Sequence, residues 1–181
     1  MKKFIFLVLF SSILLGADSK YLKEDQYSNY DFRVFAGLSA NYGYYNSDIS
    51  SDHSIYSYGL YLGMPVFSDY EIILNKNRSN IRNFTYFQQS VAINIPLTSR
   101  KTRRAYIGII GGKGIVDFKD NRKDIDDYFY GIHIGKRYKF TRNYYVRIEF
   151  EATKYNYIKS DFKGFGKDGA ITFNYGFEYR F

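Results

Sequence analysis

Two histidines, His53 and His133, and no cysteine stand in the 181 residues, so nucleophilic chemistry has few places to reside. Serine–histidine–acid hydrolysis needs a hydroxyl, an imidazole and an orienting carboxylate within hydrogen-bond reach. His53 is followed by Ser54, but the local spacing does not set three such groups together. His133 is followed by Ile134 and flanked at a spacing of two by Gly131 and Gly135. Side chains alternate along a strand, so His133 shares a face with two glycines and reads as a residue that fills space.

A second candidate chemistry is cation binding. Asp120, Asp124, Asp126 and Asp127 crowd one segment with Lys119, Arg122 and Lys123. A calcium or magnesium site needs several converging oxygens. The run lacks the glycine and terminal glutamate of a calcium-binding helix–loop–helix, so it reads as a solvated loop. Arg100-Lys101-Thr102-Arg103-Arg104 also reads as a solvated turn, able to contact anionic headgroups or the cell wall. The expectation is no catalytic residue, no cofactor and no metal.

Eight other charged residues have a stronger pattern. Arg33, Glu71, Arg137, Arg147, Glu149, Glu151, Glu178 and Arg180 all fall on the polar face of alternating segments. The last segment shows the rule: Ile171, Phe173, Tyr175, Phe177, Tyr179 and Phe181 share one face, and Thr172, Asn174, Gly176, Glu178 and Arg180 share the other. Counting back gives eight segments, at about 30–42, 55–64, 70–76, 84–95, 105–117, 128–138, 144–153 and 171–181. If the polar faces enclose a lumen, four arginines and four glutamates must pair there, because unpaired buried charges are costly. An ion path gated by these pairs is the functional reading; a structural plug of salt bridges is the favoured one, since eight strands leave a bore just wide enough for side chains.

The apolar faces place rings at two heights. Phe32, Tyr70, Tyr144, Tyr179 and Phe181 fall at one end of their segments, and Tyr42, Tyr56, Tyr58, Tyr128 and Tyr130 at the other. Aromatic girdles around an aliphatic band mark the two membrane interfaces. A soluble lipocalin-like barrel has no reason for them. Connections 65–69 and 139–143 are short, while 43–54, 118–127 and 156–169 are longer and polar. This matches short periplasmic turns and longer outer loops; the short outer loop 76–83 and the long inner turn 96–104 are exceptions. Gln89 faces outward in this register, as do Lys113 and Lys136, and glycines 108, 111, 112 and 114 blur the phase of the fifth strand. Lysines near strand ends can snorkel to headgroups.

The N-terminus is consistent with export. Met1-Lys2-Lys3 precedes an apolar stretch from Phe4 to Leu15, then Gly16-Ala17. This reads as a signal peptide over 1–17, too short to span a bilayer as a helix, followed by a short periplasmic segment at 18–29 and a barrel at 30–181. No later apolar run is long enough for a membrane helix, so insertion requires strands. The chain holds 21 Tyr and 17 Phe but no Trp, and its net charge is +8. The basic residues are dispersed and no RNA-binding motif is present, which argues against nucleic acid and for anionic headgroups.

Together the alternating segments, the paired girdles and the terminal aromatic strand resemble the small eight-stranded OmpA/OmpX-like outer-membrane β-barrels of Gram-negative bacteria, over roughly Tyr30–Phe181. The resemblance implies an all-β fold, an eight-stranded antiparallel up-and-down transmembrane β-barrel in the cell outer membrane. It implies partners as well: outer-membrane lipids and lipopolysaccharide, the assembly machinery, and any extracellular partner of the loops. Phe181 would then belong to the assembly signal. The implied role is membrane-structural or surface-interacting, such as adhesion or host contact. A narrow channel and a lipid A-modifying enzyme are the alternatives. Lipid A deacylases resembling PagL use a His-x-Ser pair with a glutamate; His133-Ile134-Gly135 lacks the serine.

Overall fold

The computed structural model describes residues 33–46, 54–66, 70–81, 84–97, 105–119, 123–141, 143–157 and 169–181. Eight strands run in chain order: β1 (Phe35–Asn46), β2 (Ser54–Val66), β3 (Tyr70–Ile81), β4 (Phe84–Pro96), β5 (Ala105–Phe118), β6 (Ile125–Lys139), β7 (Tyr144–Tyr157) and β8 (Gly169–Arg180). Each pairs antiparallel with its sequence neighbours, and β8 closes on β1. The fold is an all-antiparallel, up-and-down closed barrel. The leader at 1–17, the segment at 18–29, Phe32, His53, Arg100–Arg104, Asp120 and Arg122 lie outside the described residues.

The register fixes the barrel's shape. Directly paired residues lead from Ala36 through Leu62, Leu74, Val91, Gly111, Tyr130, Lys154 and Gly169 to Asn46. The circuit returns to β1 displaced by ten residues (46 − 36). Closing an eight-stranded sheet with such a stagger tilts the strands by roughly 40° from the axis. Exposure alternates along the strands with the sense expected from sequence: Leu38, Leu60, Leu62, Ile109 and Ile132 are outside, while Glu71, Arg137, Glu149 and Glu178 are inside.

Several boundaries differ from the sequence reading. β1 begins at Phe35 and runs to Asn46, so the first loop starts later than residue 43. β3 does not end at Lys76 but continues to Ile81, leaving only residues 82–83 before β4. The polar run Asn75-Lys76-Asn77-Arg78-Ser79-Asn80 looks like a loop because it lacks apolar residues. Ladder bonds to β2 and β4 hold it as strand regardless. β6 begins at Ile125, so Asp126 and Asp127 belong to a strand and not to the solvated loop.

Glycines inside the barrel make room for rings. Gly37 lies opposite Tyr61 on β2, and a Cβ there would sit 2.2 Å from the Tyr61 ring. Gly135 faces Tyr106 in the same way, with a Cβ meeting the phenol at 2.4 Å. Only a residue without a side chain lets these large rings fold flat across the bore.

Candidate functional site

One end of the barrel carries both ends of the described chain and the connections β2–β3, β4–β5 and β6–β7; we call it the near end. There Glu71, Arg137, Glu178 and Arg180 form a closed ring of ion pairs. Arg137 donates to Glu71 at 2.8 Å and to Glu178 at 3.0 Å; Arg180 donates to Glu178 at 2.8 Å and to Glu71 at 3.4 Å. All four side chains are nearly inaccessible to solvent. Two charges of each sign with every cation touching both anions meets the condition under which buried charge is tolerated. Phe35 supports the ring, with both guanidiniums over its face at 5.2 and 4.9 Å.

Arg147 is handled differently. It lies directly opposite Arg137 in the β6–β7 ladder, and its guanidinium stacks over Tyr61 at 4.1 Å. The aromatic face receives a charge that the register sets beside a like one. Arg33, just before β1, donates to Asn143 Oδ1 at 2.8 Å near the rim.

The middle layer holds His133, Glu149 and Glu151. His133 Nε2 lies 2.6 Å from Asn94 Oδ1 and 3.9 Å from Glu149 Oε2. Glu149 accepts from Tyr106 Oη at 2.9 Å and from Asn174 Nδ2 at 3.1 Å. Asn174 Nδ2 also lies 3.4 Å from Glu151. An imidazole beside a carboxylate has the outline of two members of a hydrolytic triad, but none of the described hydrogen bonds of His133 brings a serine to it. The imidazole is only 3% exposed. The adjoining cavity, lined among others by Asn41, His133, Arg147 and Asn174, is about 10 Å³, on the scale of a single water molecule.

The far end is closed by rings, a feature that reading the sequence for charge overlooked. Tyr155 packs edge-on against Tyr45 and Tyr86, each at 5.5 Å between centroids, and against Phe129 at 5.9 Å. Phe84 joins Tyr45 to Phe118 at 6.1 and 5.9 Å. These separations suit edge-to-face and tilted aromatic packing. Asp127 sits in this layer, 1% exposed, accepting from the Tyr86 hydroxyl and from the Asn156 backbone N–H. The inward parity of Tyr45, Tyr86, Phe129 and Tyr155 was the available signal. It was hidden because aromatic residues occupy both faces of these strands.

On the outside, Tyr70, Tyr144 and Phe181 are exposed at the near end and Tyr42, Tyr56, Tyr58, Tyr128 and Tyr130 at the far end. Tyr179 is half-buried, packed between Tyr144 and Phe181 at 5.0 and 5.1 Å. From Tyr144 to Ala152 the apolar outward face of β7 covers eight steps, about 20 Å of axial height at a rise of about 3.3 Å per residue and a tilt of about 40°. With Lys154 one outward position beyond, this is on the scale of the apolar band of a membrane barrel, about 25 Å.

No family model matches this chain, and no curated protein matches it in sequence. Among solved structures it is similar to Neisserial surface protein A, at 12% identity over 82% of this chain and 97% of that one, with a TM-score of 0.67. It is also similar to Ail, the attachment invasion locus protein of Yersinia pestis, at 13% identity over 83% and 99%, with a TM-score of 0.50. Likenesses at this identity establish the shared fold, the small eight-stranded barrel of such outer-membrane proteins.

Proposed function

We propose that the chain is a non-enzymatic bacterial outer-membrane barrel that stabilises the membrane and presents loops for surface contacts. The observation that carries this reading is a bore filled from end to end inside an apolar exterior bounded by rings. A soluble barrel would bury those exposed leucines and isoleucines, whereas lipid accepts them. The near end, with its short β2–β3 and β6–β7 connections, is periplasmic. The far end, with connections 47–53 and 158–168, faces the surroundings. The apolar leader at 1–17 supports export, and Phe181 would serve recognition by the assembly machinery.

The filled lumen argues against a channel, and the buried His133 argues against hydrolysis. The similar Yersinia protein is an attachment invasion locus protein, and that likeness of fold supports a surface-contact role for the loops. Cell fractionation tests the core of the reading. The protein is expected in the outer-membrane fraction, resistant to carbonate and high salt, and to migrate differently on gels before and after boiling. Recovery in the soluble periplasm would overturn it.

A further inference from the structure

The far-end aromatic band is not continuous around the barrel. β1, β2 and β6 carry exposed tyrosines at that level. On β3, β4 and β5 the outward positions at that level are Lys76, Arg78, Gln89 and Lys113, with one exposed ring, Phe87, partnered with Arg78. The register places them: Arg78 is directly paired with Tyr58 and Lys113 with Tyr128, while Lys76 is paired with Leu60 in the aliphatic band below, from where a lysine can snorkel upward. Lys76, Gln89 and Lys113 are consecutive partners across three strands, so the two ammonium groups flank the amide along one row. Arg78 lies one outward position beyond, its guanidinium 5.4 Å over the Phe87 ring.

The surface toward the near end of this row is an open groove whose lining includes Leu62, Leu74, Val91 and Gly111. Gly111 faces outward between Val91 of β4 and Tyr130 of β6, and a Cβ there would meet only a backbone carbonyl at 3.8 Å. The missing side chain is therefore not required by packing inside the sheet. It leaves a gap in the apolar exterior next to Lys113. The exposed acids of this side, Asp117 and Asp126, lie further toward the far end. Neither makes a described ion pair with Lys76 or Lys113.

We propose that β3–β5 form a binding site for a phosphorylated glycolipid of the outer leaflet. Lys76, Lys113 and Arg78 would take its phosphates, Gln89 would donate to the sugar or phosphate oxygens, and an acyl chain would lie in the groove over Gly111. Charge and depth select this ligand. Three cations gather around the single ring Phe87 toward the height where headgroups begin, and cations there gain from anionic lipid. A soluble anion would have no use for the apolar groove below. This inference rests on the membrane reading given above.

The test is native mass spectrometry of the full mature chain refolded in detergent and titrated with diphosphorylated lipid A. Lipid A stripped of its phosphates and inorganic phosphate serve as competing probes. The phosphorylated lipid should bind at least about tenfold more tightly than the stripped form. Lys76→Gln with Lys113→Gln should erase most of that preference, Lys76→Arg with Lys113→Arg should keep it, and Lys154→Gln on β7 should leave it unchanged. Equal binding of both lipids, or an undiminished preference in the double glutamine variant, would overturn the site. Displacement of the lipid by inorganic phosphate would overturn the choice of a lipid. A wild-type chain whose gel migration does not change on boiling would instead defeat the membrane reading.

Discussion

Arg137 of β6 and Glu178 of β8 meet at 3.0 Å across the lumen, although β7 lies between their strands. The contact reaches over Arg147, the direct ladder neighbour of Arg137, so it belongs to the closed bore and not to any hairpin. Glu178→Gln should therefore leave two guanidiniums short of a counter-charge and destabilise the barrel by about 3–5 kcal/mol. Replacing all four members of the ring by apolar residues of similar volume should cost much less. Denaturant unfolding of protein refolded in micelles measures both. A loss below about 1 kcal/mol for Glu178→Gln would show that the ring is not closed in solution.

Planar bilayers containing the purified protein should show no porin-sized current steps. The ion-pair ring closes the near end and the Tyr45–Tyr155 layer closes the far end, so a variant opened at one end alone should also stay closed. Tyr45→Ala with Tyr155→Ala is the variant to record. Stable large conductance in it would show that the near-end ring yields to ions.

Gly135→Val should destabilise the barrel by about 1–3 kcal/mol, because the new side chain enters space that the Tyr106 phenol occupies. Adding Tyr106→Leu should recover part of the loss. Additive losses in the double variant would mean that the two residues do not share that space.

Deletion of Phe181 separates assembly from stability. Its ring is exposed at 66% and packs on Tyr179, so a folded barrel should lose at most about 1.5–3 kcal/mol. If Phe181 belongs to the assembly signal, surface levels in cells should fall sharply while refolding into micelles persists. Normal surface levels would reject the signal role, and failure to refold would assign the residue to stability.

The sequence by itself determined the fold class, the number of strands and which face of each strand points outward. Alternation is a local property with a period of two, and Tyr144 to Ala152 or Ile171 to Phe181 display it without reference to any partner. It also identified Glu71, Arg137, Glu178 and Arg180 as candidates for one enclosed space. It could not say that these four close on one another while Arg147 turns to Tyr61. That choice depends on the ten-residue stagger, which is a property of the whole circuit of pairings. The polar stretch 75–80 reads as loop for a related reason: its strand character comes from neighbours on both sides and not from its own residues. Asp127 and the aromatic layer at the far end became visible only in the closed barrel. Inward rings and outward rings have the same composition, and only closure of the sheet decides which of them meet.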